Sequence, residues 1–182
     1  FVKKASIEEI INLIKLVFPI FAKEFHLKSE QIQEDYIKDA IQVLENMGIL
    51  RRDDKGNIIS PIEKTHNFDD YIALTNLCEL TLKRFYIVMS IMWNRERILK
   101  EDLKAECKKI AEDLEVIEGW PYPEFSDNAK FDNFLYMMIE AKFFREDTEG
   151  NLFASKITNK AKELYDQFFD KEFLGFIDKK II

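Results

Sequence analysis

Apolar residues in this chain recur mainly every third or fourth position, the spacing of helices rather than the alternation of strands. Ile7, Ile10, Ile11, Ile14, Val17, Phe18 and Phe21 form the first such stripe, and Ser6 with Glu9 reads as a capping box at its start. Pro19 is expected to kink that helix or end it early, because its ring removes one hydrogen bond and crowds the preceding turn. A second stripe runs Ile32, Tyr36, Ile37, Ala40, Ile41, Leu44, Met47, with Gly48 fitting the helix stop. The tract ILRRDDKGNIIS then predicts a small hairpin turning at Gly56, where a positive φ is needed. Phe68 to Trp93 predicts a long helix whose later part, LKRFYIVMSIMW, is apolar on nearly every side and belongs at the centre of a fold.

The pattern then restarts. Leu99, Leu103, Cys107, Ile110, Leu114 and Ile117 make one helical stripe, and Phe131, Phe134, Leu135 and Met138 make another. Between them lies GWPYPEFSDNAKF, a joint in which Pro121 and Pro123 limit helix continuation and the aromatic residues can bury against both neighbours. A second hairpin is expected in FFREDTEGNLFAS. Laying residues 49–59 over 143–153 pairs Arg51 with Arg145, Asp53 with Asp147, Gly56 with Gly150 and Asn57 with Asn151, the mark of a degenerate repeat. A closing helix carries Ile157, Ala161, Leu164, Tyr165, Phe168 and Phe169 to the C-terminus. The expected fold is mainly α: one helical domain over 1–182 with two small β-hairpins. Two degenerate winged-helix-like halves, about 1–65 and 97–182, are joined by a long central helix, about 68–94.

Composition narrows the function. The chain has 182 residues, 16 of them Phe, with hydrophobic residues at 47%, enough for a sizeable core and against disorder. Its net charge of −7, with basic residues clustered no further than isolated pairs, disfavours broad contact with nucleic-acid phosphates or an anionic bilayer. Cys78 and Cys107 each fall on an apolar stripe and read as reduced core residues of a cytosolic protein. No run reaches the ~18 apolar residues of a membrane span, and the first residues do not read as a signal peptide. A start at Phe1 is expected of a piece of a longer or processed protein.

The residues offer little chemistry of their own. His66, in THNFDD, precedes Asp69 and Asp70 and is the better of two candidates for a general base; His26 has no acid close behind it. The acid pairs Glu8-Glu9 and Asp69-Asp70 suit helix starts, and Asp53-Asp54 suits a hairpin turn. D-D-K-G-N departs from a calcium loop, and there is no phosphate loop, CxxC, GxSxG or HExxH. No cofactor, metal or catalytic residue is therefore expected. A helix-helix-hairpin module could instead serve as a stand-alone winged-helix-like binder of protein or nucleic acid, with Arg51, Arg52 and Arg145 as wing residues.

Several tracts together resemble a known family. Gly119, Pro123, Glu124, Phe125, Asp127 and Phe131 follow the order and spacing of a tract, approximately G-x-x-x-P-E-F-F-D-K-x-x-F, near the C-terminus of the bacterial membrane-bound glycerol-3-phosphate 1-acyltransferases. Ser126 stands where that family has an aromatic and Asn128 where it has Lys. Thr81, Leu82, Arg84 and Phe85 are similar to the family's T-L-x-R-Y/F, and Leu103, Glu106, Ala111, Leu114 and Val116 also fall in place. The resemblance covers nearly the whole chain but only the family's C-terminal portion. It implies a parent that transfers a fatty acyl group from acyl-CoA or acyl-carrier protein to the 1-hydroxyl of glycerol 3-phosphate, on the cytoplasmic face of the inner membrane. The family's base is the His of an HxxxxD motif in an earlier domain. Here His66 is followed at the required place by Tyr71 and His26 by Gln31, and the FPEGxRxR-like phosphate tract is missing too. The implied role is that of a non-catalytic, soluble C-terminal domain. Its partner would be the catalytic domain of the same parent, with membrane contact only through that parent and no nucleic acid.

Overall fold

The computed structural model describes residues 4–119, 124–156, 158 and 169–181. The chain forms two compact units, Phe1–Glu79 and Leu80–Ile182.

The first unit begins with strand β1 (Lys4–Ala5) and helix α1 (Ile7–Glu24). The capping box forms as expected, with Glu9 N–H donating to Ser6 Oγ at 3.2 Å and Ser6 N–H to Glu9 Oε2 at 2.7 Å. Pro19 does not end the helix, which runs on to Glu24. It removes a single donor, and backbone bonds resume beyond it, from Phe25 N–H to Phe21 O (2.8 Å) and Leu27 N–H to Ala22 O (2.8 Å). His26, at φ 52°, turns the chain out of the helix. A 3₁₀ turn (Ser29–Ile32) leads to α2 (Glu34–Asn46), then β2 (Arg51–Arg52) and β3 (Ile58–Ile59). The expected hairpin thus forms, and β1 adds to it to give the antiparallel order β1-β3-β2. Ile11, Ile37, Ile41 and Ile58 make the core, with Ile7, Ile10, Ile14 and Leu50 around them. The α2 seam is narrower than its stripe: Ile37 and Ile41 are buried, while Tyr36 and Met47 face solvent.

Helix α3 (His66–Asn94) opens behind Thr65, whose Oγ1 accepts from Phe68 N–H at 3.3 Å, and the boundary between the units falls within it. In the second unit, its residues 83–92 are buried without interruption, Lys83, Arg84 and Ser90 among them. Strand β4 (Ile98–Leu99), α4 (Lys100–Glu118), α5 (Asn128–Glu140), β5 (Phe144–Glu146) and β6 (Asn151–Ala154) follow. The sheet order is β4-β6-β5, antiparallel, so both units run strand, helix, helix, strand, strand. Leu103, Cys107, Ile110 and Leu114 are buried on α4, but Leu99 and Ile117, at the ends of that stripe, are exposed. Phe131, Phe134, Leu135 and Met138 are all buried, and Phe134 and Phe143 meet Phe85 edge-on at 5.9 and 5.7 Å.

Most of the expected closing helix, Ile157 and the positions from Ala161 to Phe168, lies outside the described residues. Phe169 and Asp170 are not helical, and the last helix, α6 (Lys171–Ile181), starts afresh. Asp170 Oδ1 takes the Phe173 N–H at 2.8 Å, which competes with helix continuation and caps the new start. Six α-helices and two three-stranded sheets are present among the described residues.

Candidate functional site

Of the residues expected to form a family signature, Gly119, Glu124, Phe125, Asp127 and Phe131 lie at the joint between α4 and α5 in the second unit. Gly119 ends α4 in the left-handed conformation at φ 64°, which a side chain would disfavour. Asp127 caps α5, its Oδ1 accepting the Ala129 N–H at 2.7 Å, while its carbonyl takes the Phe131 N–H at 3.2 Å. Phe125 and Phe131 are wholly buried on either side of that cap, and Glu124 is exposed. Ser126 binds back to α4 through Glu115, its N–H at 3.1 Å from Oε1 and its hydroxyl at 3.0 Å from Oε2. Pro123 lies outside the described residues, as do Trp120, Pro121 and Tyr122.

The other part of the signature lies on α3. Thr81 and Arg84 are buried there and Leu82 is half-buried. The Arg84 guanidinium carbon stands 5.9 Å from the centre of the Phe125 ring, so tracts about forty residues apart in sequence meet through a cation–aromatic contact. Lys83, also buried, holds its ammonium 5.3 Å from the Phe173 ring. These contacts join α3 to the residues before α5 and to α6.

The candidate bases and nucleophiles sit elsewhere. The His66 side chain is 88% exposed and lies 3.8 Å from Asp70 Oδ2 across one helical turn. His26 occupies the turn after α1. Cys107 is fully buried, which pushes its thiol well above the usual range, and half-burial raises that of Cys78 less; both are free. Asp53 is drawn into its turn. Lys4 Nζ stands 2.5 Å from Oδ2, and Oδ1 accepts the Lys55 and Asn57 N–H groups at 2.9 Å. Asp147 repeats that turn, accepting Glu149 and Asn151 N–H at 2.9 Å. The Lys4 and Asn57 bonds hold the Asp53 carboxyl well below the ordinary range, and the Asn151 backbone bond lowers that of Asp147. Among the described residues no cluster of His, Cys, Asp or Glu is placed to hold a metal.

Of the three arginines read as wing residues, two are engaged with their own chain. Arg51 donates to the Ser60 carbonyl at 3.0 and 3.1 Å, and Arg52 grips Glu45 at 2.7 and 3.0 Å. Arg145 instead lines an open cleft of about 630 Å³, together with Ile139, Lys142, Phe144, Glu146 and Lys156. Periodicity did not point to this cleft, because its lining comes from a helix end, a strand and the residues after a strand. The available signal was a difference inside the repeat, with Ile139 and Lys156 standing where the first copy has Glu45 and Ile62.

Comparison with known proteins agrees with the signature tract. Residues 2–147 match the family described as glycerol-3-phosphate acyltransferase C-terminal region. The chain is 29% identical over 154 residues to a glycerol-3-phosphate acyltransferase of Alteromonas mediterranea, covering 84% of this chain and 19% of that protein. It is 26% identical over 153 residues to one from Ectopseudomonas mendocina and 24% identical over 152 residues to one from Pseudomonas paraeruginosa, covering 82% of this chain and 18% of each relative. The chain thus spans less than a fifth of the length of these relatives. No solved structure matches it. On the strength of a match over most of its length, this chain belongs to the glycerol-3-phosphate acyltransferase C-terminal region family.

Proposed function

We propose that this chain works as the non-catalytic C-terminal domain of a glycerol-3-phosphate acyltransferase, packing on the catalytic domain of the same protein. The parent, in this reading, moves a fatty acyl group from acyl-CoA or acyl-carrier protein to the 1-hydroxyl of glycerol 3-phosphate, at the cytoplasmic face of the inner membrane. The observation that carries the proposal is the family match over residues 2–147. Acyl transfer needs a base within hydrogen-bond reach of the hydroxyl and fixed donors for the phosphate and the developing oxyanion. The proposal places that machinery upstream and gives Gly119, Pro123, Glu124, Phe125, Asp127, Phe131, Thr81, Leu82 and Arg84 a structural role, holding the joint in one shape. Membrane attachment belongs to the parent; no described helix is long and apolar enough to cross a membrane. The intramolecular bonds of Arg51 and Arg52 favour this reading over a nucleic-acid wing.

The test compares acyltransferase activity on glycerol 3-phosphate and a long-chain acyl-CoA for this chain, the full parent and the parent lacking residues 1–182. An inert chain whose removal impairs the parent is the expected result. Turnover by the isolated chain, or full activity without it, would overturn the proposal.

A further inference from the structure

The repeat supplies an internal comparison for the cleft of the second unit. The register that pairs Asp53 with Asp147 also pairs Glu45 with Ile139, Gly48 with Lys142, Arg52 with Glu146 and Ile62 with Lys156. At the corresponding place in the first unit Arg52 pairs with Glu45 at 2.7 Å. In the second, Ile139 replaces the acid. With Phe144 it leaves an apolar floor, and around it stand Lys142, Arg145 and Lys156, none of which has an acidic partner among the described residues.

Two features separate this from a chance group of surface cations. The chain as a whole carries a net charge of −7, yet among the described residues the cleft lining carries three cations against one carboxylate, Glu146, a surplus that matches a dianionic phosphate. Lys142 also holds φ 63°, the left-handed conformation that the first unit gives to Gly48 at φ 73°. A lysine there costs on the order of 1 kcal/mol of backbone strain, as it does at Lys64, φ 64°, in the first unit.

We propose that this cleft binds an anionic amphiphile, a phosphate group carried on an apolar chain. Lys142, Arg145 and Lys156 hold the phosphate, and Ile139 and Phe144 take the first part of the chain. Phosphate and apolar body are both required, because the floor alone selects no charge and the cations alone sit in open solvent. The inference does not depend on the acyltransferase reading and can fail without it.

The experiment titrates the ¹⁵N-labelled chain with decyl phosphate below its micelle concentration, with inorganic phosphate and decanol in parallel. Saturable shifts centred on residues 142–146 and 155–156 are expected with decyl phosphate, and much weaker binding with the other two. Arg145→Gln and Lys156→Gln are each expected to weaken binding about tenfold or more, the loss of one charge-assisted contact. Ile139→Glu, which restores the acid of the first unit, is expected to abolish it. Lys142→Gly carries a second readout. It should lower affinity while raising the melting temperature, so lost binding cannot be ascribed to a damaged fold even if Ile139→Glu proves unstable. Sedimentation with phosphatidylcholine vesicles, with and without phosphatidic acid, identifies the source. Cosedimentation that needs phosphatidic acid and is lost in Arg145→Gln assigns the site to a lipid surface, and its absence beside retained decyl phosphate binding assigns it to a soluble phosphate. Decanol binding as tightly as decyl phosphate, shifts elsewhere, or equal affinity in Arg145→Gln and Lys142→Gly would overturn the proposal.

Discussion

At Lys142 a side chain and a backbone conformation disagree. The helix α5 ends there with Ala141 N–H on Met137 O (2.8 Å) and Phe143 N–H on Met138 O (2.9 Å), and α2 ends the same way at Gly48, with Met47 N–H on Val43 O and Ile49 N–H on Leu44 O. Replacing Lys142 by glycine relieves about 1–2 kcal/mol of left-handed strain but adds about 0.4–1 kcal/mol of unfolded-state entropy, so a net gain of about 0.5–1 kcal/mol is expected in urea unfolding. Gly48→Ala should destabilise, since its Cβ would also run into the Asn67 amide. The two hairpin aspartates predict a pH dependence. Both carboxyls are lowered by folding, so their contribution is full above the ordinary carboxylate value and is lost as pH falls through the depressed one. The melting temperature should therefore drop as pH falls below about 4, and less steeply in the Asp53→Asn, Asp147→Asn double variant. An acid limb unchanged by that pair of substitutions would contradict the assignment.

Between elements, the α4–α5 joint is where a small change should propagate furthest. Phe125→Ala removes a wholly buried ring facing Arg84 and should cost about 3–5 kcal/mol by denaturant unfolding, whereas Asp127→Ala, which deletes only the α5 cap, should cost about 1 kcal/mol. A Phe125→Ala variant as stable as the parent chain would show that the ring does not hold the joint. The helices were legible because a buried face repeats every three to four residues. The hairpins were legible because Gly56 and Gly150, at φ 81° and 80°, mark turns that few other residues adopt. Strands β1 and β4 were not, because two residues cannot display an alternation and their pairing is wholly long-range. Pro19 does not end α1, because one missing donor is a smaller loss than an apolar face already committed to a core. The signature tract could be read as a motif, but the Arg84–Phe125 meeting could not, since contact between distant tracts is set by packing rather than spacing.

Across the whole chain, the two units keep one hairpin almost unchanged while the rest has drifted. Asp53 and Asp147 accept the same set of bonds from residues two and four positions on, whereas Glu45 and Ile139 share nothing chemically. Turn geometry tolerates few residues, and a helix face tolerates any apolar or solvated side chain of suitable size, so a duplicated pattern fades from helices first. Burial differs along α3 as well. Hydrogen exchange should be slowest through residues 83–92 and faster before Glu79, where the helix presents Leu74 and Leu77 to solvent. Uniform protection along the helix would contradict that gradient. The position of the boundary between Glu79 and Leu80 has a practical consequence for anyone dissecting the protein. There is no linker to cut. A protease that trims loops finds no site at the junction, and a gene divided there leaves each half with a severed helix end whose backbone groups have lost their partners. Any separately made second half should therefore start before His66, carrying a tail borrowed from the first.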